Sequence, residues 1–386
     1  MPYENVNAAA LFELPDGCLS AESRIYTATG YDDYYEEYYV ASTFSPKSET
    51  PSFDFDNDKT FTGAVKSLTL PEDGTPVPDL HPTVYPLYVG GVQVTDDNAK
   101  DVLGDTDEGA AVSFDAATST LTLNNANITG VYAKNEGKYN DYYGIYSDIE
   151  NLKLKLEGSS KIVVNSAEGA NSASSLRGFT SNSITVSGSG SLEIKSVHNG
   201  FTAKKIVMNS GTITAICDGG SNSEAIDGAN ITVSGGTLIG ETSVSDNSNG
   251  YGILAGTLQI DGGRVIGKMN SGQRGHGISA NNIIINGGEV TGEGAYSGIF
   301  AYALKVTGGT IHAKGDKSPI TVAYNGSFKT EEEANAAELK IELPEGYLPA
   351  GYAICRATNY YKNYGTNYYV TAATIAPEGS TPSLKL

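Results

Sequence analysis

The sequence predicts an all-β fold: a right-handed, single-stranded parallel β-helix, three-sided, of about eight rungs, with capping segments at both ends. Three observations predict it. A unit of the form apolar-x-apolar-x-Gly-Gly-x-apolar recurs at steps of 21 to 27 residues. β-Branched residues, which favour strands over helices, dominate these units. Glycine supplies 46 of the 386 residues, against a usual share of about 7 percent.

Five copies of the unit superpose, at residues 206–213, 231–238, 258–265, 283–290 and 304–311, with a looser copy at 184–192. The first part of each has period two, which is a strand with one buried face. The Gly pair then turns the chain, because Gly takes positive φ without steric cost. A third apolar point precedes each copy, at Phe201, Ile226, Ile253, Ile278 and Ile299. Three inward points per rung make a three-sided coil, and stacking such rungs buries a column that no single rung buries alone. A helical reading fails on the recurrent glycines, and a leucine-rich repeat lacks its Leu and Asn pattern.

Earlier segments carry the same pattern more weakly. Residues 152–158 alternate after Gly144 and Ile145, and residues 120–128 read as an earlier rung. The β-helix is therefore expected over 84–330, a column of roughly 40 Å at about 4.8 Å per rung. Two columns of outward side chains should register between rungs. One is Thr212, Thr237, Arg264, Glu289 and Thr310; the other is Ile216, Glu241, Lys268, Glu293 and Lys314. The second alternates in charge and disfavours a slipped register.

The ends differ in composition, as solenoid ends must when they cover unpaired strand edges. Residues 1–83 are acidic and Tyr-rich, most of all at 31–39, and Pro71, Pro76, Pro78 and Pro82 read as an extended arm. This segment is expected to be an arm, a cap or a small β-module. Residues 331–386 are expected to form a β cap or a small appended β-unit. Before it, Thr330 followed by Glu331, Glu332 and Glu333 is a helix N-terminus.

The formal net charge is −20, which leaves no basic patch for nucleic acid or anionic lipid. No stretch is long and apolar enough to span a membrane, so no nucleic-acid partner and no membrane insertion are expected. Cys18, Cys217 and Cys355 are far apart and show no metal-type spacing. The first 14 residues hold only a short apolar stretch, with no basic residue before it.

Seven tyrosines lie within residues 1–40, five within 132–146 and seven within 347–369. Aromatic rings stack on sugar faces, and they also bury strand edges well. Tyr132, Tyr139, Tyr142, Tyr143 and Tyr251 are the candidates for carbohydrate binding, with capping as the competing role. Asp218, Glu224, Asp227 and Asp246 fall in adjacent loops and are the candidates for a calcium site, calcium being the one cofactor the residues point to. Ordinary turn chemistry is the competing reading of these residues. In a lyase, Arg274 would be the candidate base. The run Gly275-His276-Gly277-Ile278-Ser279 resembles the Gly-His-Gly-x-Ser motif of polygalacturonases. Its place in the rung explains it instead, because His276 aligns with Tyr251 and Ser297, each just before a Gly-Ile pair. Asp54-Phe55-Asp56-Asn57-Asp58 starts like a calcium loop but has Lys59 where Gly belongs. No catalytic residue is assigned.

The stretches 85–95, with Tyr85, Leu87, Val89, Gly90, Gly91 and Thr95, and 112–125 carry a further likeness. They resemble the opening of a family of β-helical surface proteins of gut bacteria, related in fold to pectate lyases and to pectin-binding β-helices. The resemblance covers about residues 85–313. It implies export, with a signal or lipoprotein segment removed, and supplies no catalytic motif. The expected function is a non-catalytic secreted or cell-surface protein, extracellular in location, that binds carbohydrate or adheres to a host or bacterial glycan. A calcium-dependent polysaccharide lyase or hydrolase and a structural stalk are the alternatives.

Overall fold

Alternating apolar residues give each repeat a strand with one buried edge, and the chain stacks these strands in parallel. The structure is a computed structural model. It describes residues 23–32, 37–46, 82–104, 110–135, 140–170, 174–219, 222–244, 248–271, 274–363 and 366–379. Two units emerge, Met1–Pro82 and Thr83–Leu386. Within the first, Ser23–Asp32 and Glu37–Pro46 pair as an antiparallel sheet. The loop-like Asp54–Asp58 run lies outside the described residues.

The second unit is a parallel β-solenoid with six complete turns. In each, a long strand is followed by a short one: Leu176–Gly188 and Ser191–Ser196, Asn199–Met208 and Thr212–Asp218, Ser223–Val233 and Thr237–Ser243, Asn249–Ile260 and Arg264–Ser271, Arg274–Ile285 and Glu289–Gly294, Ser297–Val306 and Thr310–Gly315. The expected count of about eight is reached only with the shorter coils at Thr120–Asn124 with Asn127–Ile128 and Leu152–Glu157 with Ser159–Val164. The short strands form one eight-stranded parallel sheet.

The register is the one the repeat predicts. Ile206, Ile231, Leu258, Ile283 and Leu304 are successive partners, as are Phe201, Ile226, Ile253, Ile278 and Ile299. All ten are almost wholly buried. Each long strand bends at a corner, where the alternation is interrupted by two outward residues in succession. Lys204–Lys205 and Asn281–Asn282 are both exposed pairs of this kind. One long strand thus supplies two faces and the short strand the third. The turn between them needs φ > 0, and Gly236, Gly263 and Gly288 adopt φ of 73°, 70° and 75°.

The charge columns also register as expected. Glu241 partners Lys268, Lys268 partners Glu293, and Glu293 partners Lys314. Lys268 Nζ lies 3.9 Å from Glu241, and Arg264 Nε lies 3.4 Å from Glu289.

Antiparallel strands cover both ends of the column. At the start, Val84–Val89 pairs with Val92–Thr95 and with Asn140–Ser147, and Val112–Asp115 pairs with Thr120–Asn124. Residues 84–115 are therefore a cap over the first coil, and parallel stacking begins at Thr120. At the far end, Lys340–Glu342 adds in parallel to Ser297–Val306. The hairpin Tyr352–Asn363 with Thr366–Pro377 then pairs antiparallel with Ser318–Ala323. The helix Glu331–Ala336 begins in a capping box, with Glu333 N donating to Thr330 Oγ1 at 3.2 Å and the Glu333 carboxylate accepting from Thr330 N. Cys217 and Cys355 are free thiols, and burial pushes Cys217 up to about 12. No helix among the described residues is long and apolar enough to cross a membrane.

Candidate functional site

One face of the solenoid carries the chemistry. It is the outer surface of the first half of each long strand. Around the buried row Phe179, Phe201, Ile226, Ile253, Ile278 and Ile299, two outward rows run along the column. The first passes through Arg177, Asn199, Glu224, Tyr251, His276 and Ser297. The second passes through Thr180, Thr202, Asp227, Leu254, Ser279 and Phe300. The two rows stand three residues apart because a Gly or Ala between them tucks against the opposite sheet. A Cβ added at Gly277 would lie 2.4 Å from Glu293 N and 2.5 Å from Gly267 O. The glycines of the Gly-His-Gly run are thus demanded by the coil.

The polar groups of this face interact across rungs. Asn199 Nδ2 donates to Glu224 Oε2 at 2.7 Å. Burial, followed by the charge of Asp227, pushes the Glu224 carboxyl up to about 7. Burial also raises Asp227, while Arg177 pulls it back. Arg177 Nε lies 3.4 Å from Asp141 Oδ2. His198 Nδ1 accepts from Leu176 N at 3.1 Å, and burial lowers its pKa, with Arg177 adding to the effect. Tyr251 is half-buried; burial raises its phenol, and Glu224 and Tyr302 raise it further. Its ring centroid is 6.0 Å from that of His276. Burial lowers His276 to about 4, so at neutral pH this ring is an uncharged aromatic.

The residues singled out in the sequence separate into three groups. Glu224, Asp227 and Tyr251 share the face just described, and Tyr143 extends its first row as the partner of Arg177. Tyr132, Tyr142 and Tyr143 belong to the N-terminal end of the column. Tyr142 and Tyr143 are only 4% and 5% exposed. Tyr132 stacks on Tyr88 of the capping strand at 3.8 Å and 14°, and Tyr143 meets Tyr146 at 4.9 Å. These rings cover the edge of the first coils, with Lys134 Nζ 2.9 Å from Tyr146 Oη. Asp218 forms the third group. It ends a strand of the short sheet and is exposed. Tyr139, Asp246 and the side chain of Arg274 lie outside the described residues. Among the described residues, no three His, Cys, Asp or Glu side chains converge as a metal site. Sequence reasoning missed Asn199, which becomes visible as a partner of Glu224 once the rung step is applied to that pair.

At the C-terminal end of the same face is a cavity of about 320 Å³. His276, Tyr296, Phe300, Tyr302 and Tyr324 line it, together with Ser297, Ser318, Thr321 and Lys317. No protein-family model, curated protein or solved structure matches this chain.

Proposed function

We propose that this chain is a non-catalytic carbohydrate-binding β-solenoid, secreted or held at the cell surface, and that its binding surface is the face bearing Asn199, Glu224, Asp227 and Tyr251. The observation that carries this reading is the pairing of contact types in neighbouring rungs. Tyr251 offers a flat ring, and the Asn199–Glu224 pair in the two preceding rungs offers directional hydrogen-bonding groups. Sugars need both kinds of contact, because a pyranose has an apolar face and a hydroxylated rim. Rungs repeat at about 4.8 Å, so a saccharide chain lying along the column meets a new rung at regular intervals on a rigid support. The likeness of the segments 85–95 and 112–125 to exported β-helix proteins supports the same reading. A glycan array probed with the full chain, with and without calcium, tests it. Retention of at least one glycan class supports the proposal, and a blank array under both conditions rejects it in favour of a stalk.

One observation favours a second reading, a polysaccharide hydrolase. Glu224 holds a proton near neutral pH beside a second carboxyl, the property a general acid needs in glycosidic hydrolysis. Polygalacturonate incubated with the chain and calcium separates the readings. Reducing ends lost on Glu224→Gln would make the chain a hydrolase, and unsaturated product would make it a lyase. Polymer that stays intact supports binding alone.

A further inference from the structure

We infer that the cavity at the C-terminal end of this face holds a quaternary ammonium group that carries an anionic partner, as a phosphocholine substituent does. The walls are rings. The imidazole of His276 stacks on Phe300 at 4.7 Å and 26°. Tyr302 stands across Phe300 at 5.3 Å and 81°, and Tyr296 stands across His276 at 6.1 Å and 81°. Tyr324 completes the lining from the loop after Ser318–Ala323. A volume of about 320 Å³ is at the small end of ligand pockets.

The aromatic lining decides the ligand class. Ser297 Oγ and Thr321 Oγ1 bond each other at 2.8 Å, and Ser318 Oγ donates to Ile320 O at 2.8 Å. These hydroxyls are engaged within the protein. Lys317, the phenols of Tyr302 and Tyr324 and the unpartnered His276 Nδ1 are the remaining polar groups of the wall. A trimethylammonium group has no N–H to satisfy, an apolar surface and a positive charge. Ring faces attract such a cation, and aromatic cages are how proteins bind it. His276 contributes as a ring because burial keeps it uncharged at neutral pH. Lys317 lines the same cavity and disfavours a bare cation, but it pairs with a phosphate at the other end of a zwitterion.

The cavity adjoins the Tyr251 surface at His276, but Tyr251 does not line it, so its failure leaves the carbohydrate reading standing. The test is calorimetric titration of the full chain with phosphocholine, choline and dimethylbutanol, the uncharged carbon analogue of choline. Saturable phosphocholine binding is expected, with dimethylbutanol weaker than choline by about fivefold or more. Phe300→Leu and, as a second variant, Tyr302→Leu should each weaken phosphocholine by about tenfold while leaving the circular dichroism spectrum unchanged. Lys317→Ala should weaken phosphocholine and spare choline. Phosphatidylcholine vesicles then show whether a lipid headgroup is accepted as well as the free zwitterion. The proposal is overturned if phosphocholine gives no saturable heat up to about 10 mM, or if dimethylbutanol binds as tightly as choline.

Discussion

Glu224 and His276 stand in one row two rungs apart, on either side of Tyr251, and burial moves their proton affinities in opposite directions. Glu224 rises from an ordinary 4.5 to about 7. Between those values the folded chain holds a proton that the unfolded chain releases. Its contribution to stability is full below pH 4.5 and is lost as pH rises through 7. His276 falls from 6.5 to about 4. The unfolded chain therefore takes up a proton first, and stability falls as pH drops from 6.5 toward 4. The two effects oppose each other over most of this range, so a wild-type melting curve hides both. Glu224→Gln isolates one of them, since the amide oxygen still accepts from Asn199. The melting temperature of this variant should exceed wild type by about 1–3 °C at pH 8 and match it at pH 4.5. An equal shift at both values would mean that burial does not control this carboxyl.

At the scale of the element, the turn and the ladder hold each rung in place. Gly288 adopts φ of 75°, and a Cβ there would lie 2.6 Å from Gly263 O in the rung before. Gly288→Ala should cost roughly 2 kcal/mol or more by denaturant titration, from the left-handed backbone and the clash together. The ladder is weaker. Lys268→Glu would place three like charges in one column with Glu241 and Glu293, and should cost about 1 kcal/mol, an effect that shrinks in high salt. Loss of stability that is independent of salt would point to packing instead. These features were legible in the sequence because the Gly pair marks the register in every copy. The alignment of His276 with Tyr251 and Ser297 followed from the same mark. The role of Tyr142 and Tyr143 was not legible. They pair with Ala133 and Tyr132 of the strand Tyr132–Asn135 and, across a longer separation, with Leu176 and Arg177, and the Gly pair of the repeat does not mark these partners. The solenoid was expected to start near residue 84, where the segment Val84–Thr95 pairs antiparallel instead. Its residues alternate like a strand of the column, and alternation does not distinguish parallel from antiparallel pairing.

For the whole molecule, the three faces of the column have different tasks. The face formed by the second half of the long strands presents residues such as Gln259 between the buried Leu258 and Ile260. The short sheet presents the charge ladder and the Thr237 column. The remaining face joins half-buried rings to carboxyl and amide groups, and at its C-terminal end it opens into the aromatic cavity. Capping strands at both ends protect the edges, so a rigid column of this kind displays ligand-binding groups without exposing strands to self-association. The most direct test of this division is glycan binding measured for the wild type and one variant per face: Tyr251→Ala, Gln259→Ala and Thr237→Ala. Binding should fall by about tenfold or more for Tyr251→Ala and stay within about twofold for the other two. Equal loss in all three, or full retention in Tyr251→Ala, would contradict the assignment of function to this face.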